Sequence, residues 1–126
     1  MAYRISGEHF FALAEQVLRE LPAEFSDCLM NITIQVEDYP TDEDIRITGA
    51  RREHLLGLFR GIQYLQKGGF FDMPQALPDR IVLFQRNIED ICSSEEELIE
   101  EIRITFFHEV GHYFGIDEED LRGYGY

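Results

Sequence analysis

The first apolar pattern along the chain is that of an amphipathic helix. Its apolar positions recur three and four residues apart and are Phe10, Leu13, Ala14, Val17, Leu18 and Leu21. Ser6 stands where an N-cap residue is expected, and Pro22 cannot continue a helix. Together these signals predict a helix from Ser6 to about Glu20.

The middle of the chain changes to patterns that favour strands and loops. Leu29 to Glu37 is rich in β-branched residues and predicts a strand, and the apolar run within Arg80 to Arg86 predicts another. The acidic segment Asp38 to Asp44 contains a proline and predicts a loop. Ile45 to Gly49 either continues that loop or forms a short strand or turn, and Leu58 to Ile62 is a further candidate strand.

The last third of the chain returns to a helical pattern with a broader apolar face. Ser94 followed by Glu97 matches a capping box, and Gly115 suits the left-handed end of a helix. The apolar positions between them are Leu98, Ile99, Ile102, Phe106, Val110, Tyr113 and Phe114. An order of helix, strands and helix in 126 residues predicts one α+β domain that spans residues 1–126.

Composition and charge limit the classes of molecule that we expect this protein to bind. Hydrophobic residues make up 44% of the chain, which is enough for a packed core. No apolar run approaches the roughly 20 residues of a membrane span, and the N-terminus lacks the pattern of a signal peptide, so we expect a cytoplasmic protein. The chain has 25 acidic and 11 basic side chains, a net charge of −14. Because such a surface repels phosphate, we expect neither nucleic acid nor a membrane as a direct partner.

The negative charge is concentrated towards the end of the chain. From Glu89 onwards there are 12 acidic residues and only two basic ones. The plain interpretation is a well-solvated surface. The alternative is an electrostatic field that attracts cations, either a metal ion or a basic peptide.

A potential metal site lies within the predicted last helix. The segment His108-Glu109-Val110-Gly111-His112 has the form H-E-x-x-H. Positions four apart on a helix face the same way, so His108 and His112 can bind one Zn²⁺ ion. Glu109 is rotated by about 100° from His108, which places it near the metal without ligating it. It can therefore act as the general base that accepts a proton from a zinc-bound water.

A catalytic zinc ion has three protein ligands and one water, so a third ligand is needed. Gly115 lies three residues after His112, as in the pattern H-E-x-x-H-x-x-G-x-x-H, in which a glycine turn brings the chain back to the metal. The next ligand position is Glu118, a carboxylate where that pattern has histidine. Asp117 and Asp120 are neighbouring alternatives.

The other histidines and the cysteines do not extend this site. His9 and His54 are remote in sequence, and we expect them at the surface or in ordinary packing. Cys28 and Cys92 lack C-x-x-C spacing and are expected to be reduced thiols.

Nearly the whole chain resembles the small bacterial zincin-like metallopeptidases, also called minimal zincins. The resembling segments are Leu21–Phe25 (L-P-x-x-F), Val36–Pro40 (V-E-D-x-P), Leu56–Gly61 (L-G-L-[YF]-x-G), Pro78–Phe84 and His108–Asp120 (H-E-x-x-H-x-x-G-x-x-[DE]). The family often has Asp at the position of Glu118. The resemblance implies a zincin-like fold, in which a small mixed β-sheet packs on an N-terminal helix and a long active-site helix, and a proposed peptidase activity.

These observations favour a zinc-dependent metallopeptidase that hydrolyses a peptide or protein substrate with a zinc-activated water. A helper for the oxyanion is expected, and Arg60, Tyr113 and Tyr124 are equal candidates. An edge strand that pairs with extended substrate is also expected. Either Arg80 to Arg86 or Leu56 to Phe59 fits that description.

Two other hypotheses belong to different classes. A zinc site closed by a fourth protein ligand, such as Asp117 or Asp120, would make the protein a structural or interaction module without significant turnover. Alternatively, the domain binds no metal and the motif has no function.

Overall fold

A computed structural model describes residues 2–21, 32–60 and 79–113, with the backbone alone at positions 79, 112 and 113. The elements in chain order are α1 (Gly7–Arg19), β1 (Ile32–Glu37), α2 (Asp42–Thr48), a 3₁₀ turn (Arg52–His54), β2 (Gly57–Arg60), β3 (Asp79–Phe84), α3 (Gln85–Asp90) and α4 (Glu95–Tyr113). None of the helices in these ranges has the length and hydropathy needed to cross a membrane.

The first helix forms as its apolar pattern predicts. The Ser6 hydroxyl accepts a hydrogen bond from the His9 backbone N–H at 3.0 Å, so it satisfies one of the free donors of the first turn. The face that carries Phe10, Leu13, Ala14 and Val17 is buried. The predicted helix from Ser6 to about Glu20 is therefore confirmed.

The three strands form a mixed sheet with β3 in the centre. β1 pairs with β3 in parallel, with Ile34 opposite Ile81, and β2 pairs antiparallel to β3, with Phe59 also opposite Ile81. The predicted strand at 29–37 is observed over Ile32–Glu37, and its first three positions lie outside the described residues. The small mixed sheet that the resemblance implied is thus confirmed.

Helices α1 and α4 cover one face of this sheet. Alternate residues of β3, Ile81 and Leu83, join the same buried cluster as Phe10 of α1 and Ile102 and Phe106 of α4. On the opposite face β1 carries polar side chains, whereas Val82 and Phe84 of the central strand are apolar and fully buried. The α+β fold predicted from the sequence is confirmed, and the long helix is fixed along its length by apolar packing.

The start of α4 differs slightly from the predicted capping box. Ser94 accepts a hydrogen bond from the Glu97 backbone N–H at 3.2 Å, as expected. The Glu97 carboxylate, however, accepts from the backbone N–H of Ser93 at 3.0 Å instead of that of Ser94. The predicted end at Gly115 lies outside the described residues.

The loop predicted for Asp38 to Asp44, with its continuation to Gly49, is wrong for most of its length. Residues Asp42–Thr48 form α2. The helix starts with a capping box, in which Asp44 N–H donates to the Thr41 hydroxyl at 3.1 Å and Thr41 N–H donates to the Asp44 carboxylate at 2.9 Å. It ends at Gly49, whose φ of 70° is left-handed.

The strand predicted for Arg80 to Arg86 also ends early, because Gln85 opens the short helix α3. The fully buried Glu89 carboxylate explains this change. It accepts hydrogen bonds from the Ile5 backbone N–H at 2.9 Å and from Gln85 Nε2 at 3.0 Å, and it pairs with Arg4 at 3.0 Å and Arg86 at 2.8 Å. Helix α3 thereby joins the segment before α1 to the end of β3.

Candidate metal centre

The H-E-x-x-H segment lies in the last turns of α4, where the sequence places it. The helical backbone extends through positions 108 and 112, so the two histidines have the spacing of successive turns on one face. His108 is partly buried, and the side chain of His112 lies outside the described residues. Imidazole nitrogens at this spacing are donors that suit zinc. The two histidine positions therefore fit the predicted metal.

Apolar packing holds these turns of the helix against the rest of the domain. Phe106 is fully buried, and Phe107 and Val110 are 2% exposed. Because they flank His108 and Glu109 on both sides in sequence, they restrain the backbone from which the candidate site residues project. Such a rigid support is what a catalytic or metal-binding group requires.

Glu109 lies in a setting that suits a general base. Its side chain is partly buried, and burial raises its pKa to about 7. A general base works best when its pKa is near the operating pH, because it can then both accept and release a proton. A bound cation nearby would lower this pKa and favour the charged form.

Strand β2 approaches α4 one turn before the motif. A Cβ atom built on Gly57 would lie 2.7 Å from Thr105 Cγ2 and 3.2 Å from the Val82 carbonyl oxygen. Only glycine permits this separation between strand and helix. Thr105 is thus a buried polar residue at this contact, four positions before Glu109.

The third zinc ligand is the part of the prediction that the described residues do not reach. Glu118 and its alternatives Asp117 and Asp120 all lie outside them. Within 2–21, 32–60 and 79–113, no three His, Cys, Asp or Glu side chains gather as a metal site would need. The assignment of Glu118 therefore stays a prediction.

Of the three oxyanion candidates, only Arg60 has a described side chain, and it has other partners. It donates to Glu37 at 2.8 Å and to Asp44 at 2.8 Å. Since side chains alternate along a strand, Arg60 lies on the sheet face opposite to the one on which Gly57 meets α4. Arg60 thus joins α2 to the sheet and is not beside Glu109. Tyr113 and Tyr124 lie outside the described side chains.

The order of strands in the sheet decides between the two strands that were predicted to pair with substrate. β3 has β1 on one side and β2 on the other, so its backbone has no free edge. The choice of Arg80 to Arg86 is therefore wrong. β2 pairs with β3 alone among the described strands, which leaves the Leu56 to Phe59 alternative.

The remaining described histidines and cysteine lie away from the site. His9 Nε2 is 2.9 Å from a Glu95 oxygen at the other end of α4, and His54 is exposed. Cys92 is buried and forms no disulfide, and burial raises the pKa of its thiol to about 11. At neutral pH this thiol is protonated and unreactive, as expected for a reduced core cysteine.

Comparison with known sequences and structures connects the site to one family. The sequence profile of a family described as Zincin-like metallopeptidase matches residues 29–126, which include the whole H-E-x-x-H segment. No match was found among curated proteins. The solved structure of a conserved hypothetical protein from Thermo thermophilus is similar with a TM-score of 0.54 and 22% identity, over 94% of this chain and 98% of that one. At this identity the likeness shows the fold alone.

Proposed function

We propose that this chain, which belongs to the zincin-like metallopeptidase family, is a zinc-dependent peptide hydrolase. The observation that supports this proposal most is the position of its motif. His108 and His112 are one turn apart on a helix packed into the core, and the partly buried Glu109 lies between them. That is the donor and base arrangement which hydrolysis at a metal requires.

Each residue has a distinct role in this proposal. His108, His112 and Glu118 hold the ion. When bound, zinc supplies an acidified water and a Lewis acid for the substrate carbonyl. Glu109 takes the proton from the attacking water and returns it to the nitrogen of the leaving amine. Its partly buried position, which raises its pKa in the absence of a cation, limits competition from bulk water for that proton.

The substrate we propose is an extended peptide or an unfolded protein segment. β2 offers backbone N–H and C=O groups on the side that no described strand occupies, and an extended chain can pair with such an edge. The net charge of −14 favours substrates that carry Lys or Arg. Nucleic acid and membranes are not partners in this proposal.

Metal removal combined with a peptide library tests the proposal. We expect zinc-loaded protein to cleave a subset of the library, chelated protein to lose cleavage, and stoichiometric Zn²⁺ to restore it. Persistent cleavage after metal removal would contradict the proposal. Zinc-loaded protein that is folded yet cleaves nothing would favour the zinc-binding structural or interaction module.

A further inference from the structure

One hydroxyl group beside the candidate site lacks a partner. Thr105 is 7% exposed, and its Oγ1 is the one buried side-chain nitrogen or oxygen of the described residues without a hydrogen bond. Burying a hydroxyl without a partner is unfavourable, and nearly all such groups in folded proteins are paired. An isolated buried hydroxyl therefore needs a physical explanation.

Two acceptors on α4 itself lie within reach of the Thr105 hydroxyl. Its methyl group packs towards the backbone of Gly57, where there is no room for a further atom. On a helix, a threonine hydroxyl reaches the backbone carbonyl four residues earlier, here that of Glu101, or a side chain four residues later, here that of Glu109. Neither bond is formed in the structure, where Thr105 Oγ1 has no partner among the described residues. The Glu101 carbonyl is, however, positioned to accept the helical N–H of Thr105, whereas the Glu109 carboxylate has no donor of its own within the described ranges.

Glu109 is the acceptor that complements this donor. In the described part of the chain its carboxylate accepts no hydrogen bond, although the side chain is partly buried. Side chains four apart on a helix have Cβ atoms about 5–6 Å apart, so rotations about the side-chain bonds bring hydroxyl and carboxylate together without moving the backbone. A donor and an acceptor, both partly or fully desolvated, then satisfy each other.

We propose that Thr105 is a positioning residue whose hydroxyl donates to one oxygen of the Glu109 carboxylate, leaving the other oxygen for the attacking water. The effect on turnover depends on the proposed peptidase function. The hydrogen bond itself does not, because a hydroxyl and a carboxylate need no metal ion to pair. The two ideas can therefore fail separately.

A double-mutant cycle in the metal-free protein tests the bond. Thr105→Val removes the hydroxyl and keeps the branched shape that packs against Gly57, and Glu109→Met removes the acceptor at similar length. We expect Thr105→Val to lower the melting temperature when Glu109 is present. In the Glu109→Met background we expect the same change to raise it, because the hydroxyl there is buried without a partner.

The other outcomes of the cycle overturn the proposal. A melting temperature that rises by the same amount in both backgrounds would show that the hydroxyl is unpaired in the parent. A fall by the same amount in both would show that it bonds elsewhere, for example to the Glu101 carbonyl. Thr105→Ser serves as the conservative variant, since it keeps the hydroxyl while losing only the methyl contact.

Kinetics then test the consequence for Glu109. On a peptide that the parent cleaves, we expect Thr105→Val to lower kcat by about tenfold, with KM and zinc content unchanged. Thr105→Ser should regain most of that loss. An equal loss in both variants, or a loss confined to KM, would mean that Thr105 acts through packing against β2. If the parent cleaves nothing, the proposed function fails while the cycle still decides on the bond.

Discussion

Replacing Glu109 by glutamine is expected to reduce peptide cleavage by a factor on the order of 10³ while leaving the zinc content unchanged. Glutamine has nearly the same shape but cannot accept the proton of the attacking water. The partly buried position of Glu109 leaves little room for bulk water to replace it as a base. Initial rates on a peptide that the parent cleaves, together with zinc measured by elemental mass spectrometry, check both halves of this expectation.

The matched control for this variant is Glu96→Gln on the same helix. Glu96 is exposed and lies 13 residues earlier, so the change in charge is the same but the candidate site is not touched. It should cleave at the parental rate. Equal rates for Glu109→Gln and the parent would exclude Glu109 as the general base. The hypothesis of a structural zinc module predicts instead that neither protein cleaves any peptide.

Replacing Glu89 by glutamine is expected to lower the free energy of unfolding by about 2–4 kcal/mol. The Glu89 side chain is fully buried and accepts bonds from the Ile5 backbone, Gln85, Arg4 and Arg86. The glutamine NH₂ group would face some of these donors, and the two arginines would lose their charged partner. Urea unfolding at neutral pH, with the slope checked for constancy, measures the loss.

The same carboxylate predicts a dependence of stability on pH. Burial tends to raise the pKa of Glu89, but the hydrogen bonds from Gln85, Ile5, Arg86 and Arg4 outweigh it, and the pKa is lowered. Its contribution is therefore fully present above the pKa of an unfolded Glu, about 4.3. It is lost as the pH falls through the lower folded value.

Glu89→Gln should accordingly lose less stability on acidification than the parent. Asp90→Asn is the matched control, because Asp90 is 44% exposed and pairs with Arg4 at 2.6 Å from the neighbouring position. Its cost should stay below about 1 kcal/mol, as for other exposed ion pairs. Equal losses for the two variants would show that burial at Glu89 does not matter.

The elements that the sequence predicted well are those whose signals are local. Helices α1 and α4 each combine a serine cap with an apolar stripe, and both signals occur within the element. The short helices were missed for different reasons. The capping box of α2 was present in the sequence, but Pro40 and the acidic run suggested a loop. α3 depends on bonds between Glu89 and Ile5, which no local pattern shows.

The residues of the candidate site likewise differ in whether a local sequence signal identifies them. His108, Glu109 and His112 could be identified because the whole motif lies within five positions of one helix. Arg60 was misjudged as an oxyanion helper because its partners, Glu37 and Asp44, are 23 and 16 residues away in sequence. The partners of Arg60 are neighbours in space but not in sequence, because the sheet and α2 bring them together.

Zinc content per chain tests the central claim most directly. Untagged parent protein, His108→Ala and His54→Ala would be loaded with Zn²⁺, desalted and measured by elemental mass spectrometry. His54 is exposed and is not part of the motif, so its variant controls for the loss of a histidine. We predict about one zinc ion in the parent and in His54→Ala and little in His108→Ala, as one tetrahedral site requires. No zinc in the parent, or as much in His108→Ala as in the parent, would contradict the metal site and the function proposed from it.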